Sequence, residues 1–488
     1  LESERPKVDR KLRFSIPAQT IHKQAPHERV CNWNEVTLGF ADDAAAMKEA
    51  ERCIQCPAAP CMKACPIGND IPGAFWELEH GNFLEAANIF RLTSTMPEVC
   101  GRICPQERLC EGSCVVGNQK RVPPTPPVHI GRLEAFVADR QRTTTGFPKP
   151  VLAAATGRSV AVVGSGPAGV TVAEELAKAG HRVIVYEAWP KPGGILLYGI
   201  PNFKLAKSIT EGKIRFLEEL GVEFVCNTRV GTDITLDQLR AQYDVVFLGH
   251  GASIGASASI PGEDLQGVYW ATDYLARGNV PTFELPEHQR KPVPPGANVV
   301  IIGGGDTSMD CVRTAVRLAI QAGRSTTVTC AYRRTEAEMP GREEERRHAK
   351  DEGVQFTFLT APTRFVGDAS GHITAVECIR MELGEPDGSG RRRPVEVPGS
   401  THQIPADTVV LAIGYWTDED LAEGAHLQHK SGRLIVDEAT GATNLPGVFA
   451  GGDDVRGADL VVTAIAEAKR AAAAMCAYLS GVPAEAEG

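Results

Sequence analysis

At 488 residues the chain is too long for one ordinary core, and its 43% hydrophobic content, 6% aromatics and 49 glycines fit a turn-rich α/β protein of about three domains. A formal net charge of −10 argues against the concentrated basic face that a nucleic-acid footprint requires. The opening residues lack the apolar run of a signal peptide, and no segment approaches 18 consecutive apolar residues, so no membrane span is expected and the chain reads as cytoplasmic.

Residues 1–146 hold a cysteine cluster, with short helices expected at 71–80 and 83–92. Eight of the 14 cysteines form the runs Cys53-x2-Cys56-x4-Cys61-x3-Cys65-Pro66 and Cys100-x3-Cys104-Pro105-x4-Cys110-x3-Cys114. A secreted disulfide scaffold would be small, so clustering in a chain this long points to metal. Four thiolates suit a 4Fe–4S cluster, and the first run resembles a bacterial ferredoxin run with two residues inserted before the third cysteine. In two-cluster ferredoxins the cysteine before proline serves the other cluster. By that rule Cys53, Cys56 and Cys61 begin one cluster and Cys65 belongs to a second, for which regular spacing alone would choose Cys100. Zinc also takes four thiolates but is redox-silent, so a zinc-stabilised nucleotide-binding regulatory protein is the alternative of another class. Cys31, Cys226, Cys311, Cys330, Cys378 and Cys476 read as small buried hydrophobes, and none forms a dithiol pair.

A β–α–β pattern then occurs twice. The strand at 160–163 precedes Gly164-Ser165-Gly166-Pro167-Ala168-Gly169, and the strand at 299–302 precedes Gly303-Gly304-Gly305-Asp306-Thr307-Ser308, 139 residues later. In such a turn the first glycine permits the bend, the second lets the backbone approach a pyrophosphate, and the third position keeps helix and strand close. Helix N-terminal amides then hold the phosphates. The second strand of the first unit ends at Glu187, an acceptor for ribose hydroxyls as in FAD or NAD. Its counterpart ends at Arg333-Arg334, which suit the 2′-phosphate of NADPH. With NADPH at the second site, the first is left for FAD. Ser308 replaces the third glycine but is still small.

The stretch from Asp407 to about Ser480 contains TVVLAIG, GVFAGG and an alanine-rich helix, and has no fingerprint of its own. It is expected to return to the first nucleotide domain, leaving the second as an insertion. The expected division is an iron–sulfur domain at 1–146, an FAD domain at 147–290, an NADPH domain at 291–406, and the rest of the FAD domain at 407–488. The charge runs at 342–352 and 391–393 read as a solvated helix face and loop.

Between Cys53 and Ala474 the chain carries PEVCGRICPQERLCEGSC, GGILLYGIPNFKL, GGGDTSMDCVRTAVR, YRRTEAEMPG and GGDDVRGADLVVTAI. On these it resembles the small-subunit family of NADPH-dependent glutamate synthase. That family is shared by the N-terminal half of dihydropyrimidine dehydrogenase and the large subunit of NADH-dependent ferredoxin:NADP oxidoreductases. The resemblance implies an α/β protein with a helical iron–sulfur N-terminal domain, then two Rossmann-like domains, disulfide-reductase-like, with the NADP domain inserted in the FAD domain. It implies two interleaved 4Fe–4S clusters, one on Cys53, Cys56, Cys61 and Cys114. The other would take Cys65, Cys104, Cys110 and Glu134, with Cys100 a nearby buried thiol.

For FAD the resemblance implies Gly164, Gly166, Ala168 and Glu187, with Gly194 and Ile195 beside the cofactor and Val230 near its adenine. Asp453 would meet the ribitol or pyrophosphate, and Leu460 would open a helix aimed at the flavin. For NADPH it implies Gly304, Gly305, Asp306, Thr307, Arg333 and Arg334, with Lys204 close by. His250, in Gly249-His250-Gly251 where many flavoproteins have Ala-Thr-Gly, reads as a tolerated substitution and not a catalytic base. The function implied is NADPH oxidation in a hetero-oligomer, with electrons passed to a large (α) subunit that makes glutamate from glutamine and 2-oxoglutarate. The alternative is the same module serving another redox partner, such as ferredoxin, a pyrimidine reductase or a formate dehydrogenase.

Overall fold

A computed structural model describes residues 6–117, 124–388 and 390–481. Its centre is a five-stranded parallel sheet in the order Val448–Ala450, Val245–Leu248, Ser159–Val163, Arg182–Tyr186, Glu223–Val225. The three middle strands are continuous apolar runs because helices cover both faces. Helix Pro167–Lys178 packs against the long helix Val461–Ser480 through Leu176, Ile465, Ala468 and Met475, all fully buried. The alanines let these two helices approach closely.

The second parallel sheet runs Gln355–Phe358, Thr327–Tyr332, Asn298–Ile302, Thr408–Leu411, Val268–Trp270. Two of these strands lie outside the 291–406 span expected for this domain. Thr408–Leu411 (the TVVLAIG run) does not return to the first sheet. It pairs with Asn298–Ile302 on one side and Val268–Trp270 on the other. The strand is buried on both faces and would suit either sheet, so composition could not place it. Val448–Ala450 joins the first sheet, and Glu419–Gly424 and Val461–Ser480 pack on the first domain. The second domain is inserted in the first, as expected, and also carries an antiparallel sheet of Thr360–Gly367, Ile373–Pro386, Arg392–Glu396 and His402–Pro405. The chain passes between the two parallel sheets through a small ribbon, Ile254–Gly255 paired with Tyr415–Trp416.

The N-terminal region is helical. Ile71–Glu79, Phe83–Thr93, Pro97–Ile103 and Ile130–Thr144 surround Phe75, Leu78, Phe90 and Leu133. Asp70 caps the first of these by accepting from Gly73 N at 3.1 Å, and Pro72 sits in the first turn, where its missing N–H costs nothing. Among the described residues, no helix is long and apolar enough to cross a membrane.

Candidate functional site

The first fingerprint lies at the carboxyl end of Ser159–Val163. Gly164 has φ +91°, and a β-carbon there would lie 2.5 Å from Gly249 O. One on Gly169 would lie 1.9 Å from Gly164 O. Gly166, at the N-cap of Pro167–Lys178, has nothing within 4 Å of the same position. That open approach to exposed helix amides is a cradle for a pyrophosphate. Glu187 ends the neighbouring strand, 7% exposed, and accepts from Ser165 N at 3.1 Å, from the Ser165 hydroxyl, and from Trp189 N at 2.9 Å. Burial raises its pKa.

Two more of the residues implied for FAD, Gly194 and Asp453, lie beside this turn. A β-carbon on Gly194 would lie 2.8 Å from Gly166 Cα, so the helix Gly194–Tyr198 starts against the fingerprint and leaves Ile195 47% exposed. Gly452, at φ +84°, brings the chain over Ala168 and places Asp453 beside it. Burial raises the Asp453 carboxyl to about 7. Leu460 is the N-cap of Val461–Ser480, and Val230 is buried under the first domain. His250 Nε2 lies 3.3 Å from Oδ1 of the fully buried Asp454, a neighbour that the sequence did not reveal.

The second fingerprint repeats the geometry. Gly303 has φ +142°, Gly305 has nothing within 4 Å of its β-carbon position, and Gly304 is pressed beneath the Tyr332 ring. Asp306 Oδ1 accepts from Arg342 N at 3.2 Å, and Thr307 bonds to the Tyr415 hydroxyl. Arg333 is exposed at the end of its strand. Arg334 is 4% exposed and committed elsewhere, donating to Asp387 Oδ2 at 2.8 Å and Arg392 O at 2.7 Å. Lys204 reaches this domain but spends its ammonium on Asp310, 2.8 Å away.

Seven of the eight clustered cysteines make up the two expected sets, with Cys100 the eighth. Cys53, Cys56, Cys61 and Cys114 line one cavity closed by Ile54, Phe75 and Val116. The Glu134 carboxylate acts on the thiols of Cys65, Cys100, Cys104 and Cys110 alike. Burial pushes the Cys61 thiol up to about 12 and Cys65 to about 11, so a bound cation is needed to hold them as thiolates. Burial also raises Glu134 to about 8, with only Asn69 Nδ2, 3.2 Å away, donating to it. Cys100 touches Cys104, and both pack against the core of the first domain, Cys100 the more deeply. Both donor sets fit a thiolate-held cluster. Among the described residues, no three His, Cys, Asp or Glu side chains converge closely enough for a single ion.

Comparison with known proteins gives the chain's family. Residues 29–145 match the family described as dihydropyrimidine dehydrogenase domain II, 4Fe–4S cluster, and residues 158–468 match the pyridine nucleotide-disulphide oxidoreductase family. The glutamate synthase [NADPH] small chain of Escherichia coli K12 is 40% identical over 434 residues, 88% of this chain and 90% of that one. The chain belongs to the glutamate synthase small-chain family. The β subunit of an NADP(+)-dependent formate dehydrogenase from Moorella thermoacetica is 38% identical over 86% of this chain and 60% of that one. FprA of Mycobacterium tuberculosis in complex with NADPH shares the fold at TM-score 0.57 and 23% identity, over 66% of this chain and 85% of that one. As a family member the chain is an NADPH oxidoreductase, with FAD and 4Fe–4S chemistry as its cofactor set.

Two readings of the sequence are corrected here. Of the scattered cysteines read as buried, Cys31 is exposed and Cys226 and Cys476 are only partly buried, while Cys311, Cys330 and Cys378 are buried. The 342–352 run is no solvated face, because Arg342, Glu345, His348 and Glu352 are all under 9% exposed. Glu352 receives Arg29, Arg313 and Arg317, and Glu344 receives Lys23 and Arg132. These partners come from distant segments, so no local pattern announced them. The run of opposite charges within nine residues was the only available signal.

Proposed function

We propose that this chain is the electron-input subunit of a glutamate synthase, oxidising NADPH and feeding electrons to a large subunit that makes glutamate from glutamine and 2-oxoglutarate. The observation that carries this reading is the pair of four-donor sets beside two dinucleotide cradles, in a member of the small-chain family. When bound, FAD takes hydride from the nicotinamide, and two 4Fe–4S clusters carry single electrons onward.

The chain's own residues bind and orient. Gly164, Gly166 and Ala168 admit the FAD pyrophosphate, and Glu187 turns from Ser165 to the ribose. Gly305 admits the NADPH pyrophosphate, and the free guanidinium of Arg333 meets the 2′-phosphate, with Arg334 bracing that turn through Asp387. Glu134 completes the second donor set. The FAD domain takes about 147–253 and 417–481, the NADPH domain the residues between, and the assembly is a cytoplasmic hetero-oligomer. No side chain need act as acid or base, since hydride transfer requires alignment.

A second reading is supported by the formate dehydrogenase relative: the same input module coupled to another redox protein. Anaerobic purification of the chain with its native partners tests both. Recovery of a large glutamine-using subunit, with NADPH oxidation dependent on glutamine and 2-oxoglutarate, is the expected result. Recovery of a different redox enzyme, without that dependence, would replace the first reading with the second.

A further inference from the structure

The chain crosses between its two parallel sheets only at the ribbon, where just two pairs oppose each other, Ile254 with Trp416 and Gly255 with Tyr415. A two-residue ribbon is too slight to hold one domain in a fixed attitude to another. Hydride transfer nevertheless needs the nicotinamide set against the flavin to within about an ångström. Direct contacts contribute, since Leu197 and Tyr198 of the first domain share a buried cluster with Ala276, Val280 and Leu285 of the second and Lys204 pairs with Asp310, and a segment of the N-terminal region adds to them.

The segment at 22–36 touches all three parts of the molecule. Toward the second domain, Arg29 Nε donates to Glu352 Oε1 at 2.8 Å, and its Nη2 donates to His348 O at 3.0 Å. Lys23 bonds to Glu344, and Asn32 O accepts from Arg317 Nε at 3.1 Å. Toward the first domain, Trp33 O accepts from Asn202 Nδ2 at 2.7 Å, Val36 N donates to Phe203 O at 3.0 Å, and the Trp33 ring stacks on Phe203. Glu35 accepts from Ala206 N at 3.0 Å and, toward the cysteine domain, from Arg102 Nε at 2.8 Å.

Phe203, from the first domain, also lies under the guanidiniums of Arg313 and Arg317 of the second, 4.4 and 4.1 Å from its centroid. Glu352 joins Arg29, Arg313 and Arg317 in one buried cluster. Buried pairs of this kind add little net stability over apolar packing, but they fix a unique arrangement, since any slip leaves charges unpaired.

We propose that residues 22–36 clasp the second domain onto the first, and that Arg29, Trp33 and Glu352 are positioning residues that set the nicotinamide against the flavin. The proposal rests on FAD lying at the first sheet and NADPH at the second. None of the three residues touches either cradle.

The test uses the full chain with its cofactors, carrying Arg29→Ala together with Trp33→Ala. Hydrogen exchange without nucleotide is expected to quicken at 254–256, 414–416 and 203–206, while FAD and iron contents hold. Single-turnover flavin reduction by saturating NADPH should slow on the order of tenfold or more, with the Kd for NADP+ unchanged. Unchanged exchange and an unchanged reduction rate would overturn the clasp. So would an NADP+ affinity that falls in step with the rate, since the residues would then belong to the nucleotide site. If the double variant fails to load its cofactors, Glu344→Gln decides by the same readings, because it cuts only the partly exposed Lys23 and Arg132 links. The exchange measurement involves neither NADPH nor an acceptor protein, so its outcome is independent of what the chain's partner is.

Discussion

Gly166 and Gly305 occupy equivalent places in the two fingerprints, and a β-carbon at either would meet no atom within 4 Å. Their backbones are extended, at φ −69° and −87°, so neither needs glycine for conformation. The space is empty because a pyrophosphate must come close. Gly166→Val is therefore expected to fold and keep its iron while losing FAD. Gly305→Val should keep both and lose about a hundredfold in kcat/KM for NADPH. Gly169→Val is the contrast, because its side chain would collide with Gly164 O at 1.9 Å and prevent folding. Flavin absorbance, iron content and NADPH kinetics on the three purified variants separate the outcomes. At this scale the sequence was informative, since spacing alone named both cradles and the cysteine runs. It could not show that Arg334 is tied to Asp387, because the partner comes from a hairpin 53 residues away.

The helix Glu343–Asp351 with its cap Glu352 is polar on every face, and a helix of that composition is ordinarily solvated. One side of it is buried here because arginines from three other segments meet it, while Glu343, Arg347, Lys350 and Asp351 face solvent. Burial by itself would raise the Glu352 carboxyl, but Arg313 and Arg317 hold it down at about 2, and Arg132 and Lys23 hold Glu344 at about 2 likewise. A carboxylate whose folded pKa lies below its unfolded value stabilises the fold fully above the ordinary carboxylate range. That contribution disappears as pH falls from roughly 4.5 toward 2. The difference in Tm between the wild type and Glu352→Gln is therefore expected to be large at pH 7 and to shrink on acidification below about pH 4.5. A difference that stays constant with pH would mean that Glu352 acts through shape and not charge. Thr408–Leu411 teaches the same lesson for strands: its apolar run was legible, but its sheet was decided by neighbours at 268–270 and 298–302.

Across the whole molecule, the two cysteine sets stand in different surroundings. Cys104 packs with Met96, Val99 and Cys100 into the core that also holds Leu196, Leu205 and Ile209 of the first nucleotide domain. Cys53, Cys56, Cys61 and Cys114 belong to the separate core of the helical domain, and the adjoining Val115 is 42% exposed. Cys104 therefore borders the flavin domain while Cys110 shares the helical core with Cys56 and Cys114, and the proposed set containing Cys56 is taken as the outer one. Cys56→Ser is expected to leave flavin reduction by NADPH at its normal rate while cutting delivery to the partner protein by on the order of a hundredfold. Anaerobic stopped-flow bleaching of the flavin reads the first quantity, and partner-dependent NADPH oxidation reads the second. Equal loss in both would mean that the outer set is needed to build the flavin domain, and undiminished delivery would place the exit at the inner set. The asymmetry follows from how the chain is threaded. Cys65 and Cys114 each sit next to the other set's residues in sequence, so in the proposed interleaving each set draws on both runs, with Glu134 supplied by Ile130–Thr144.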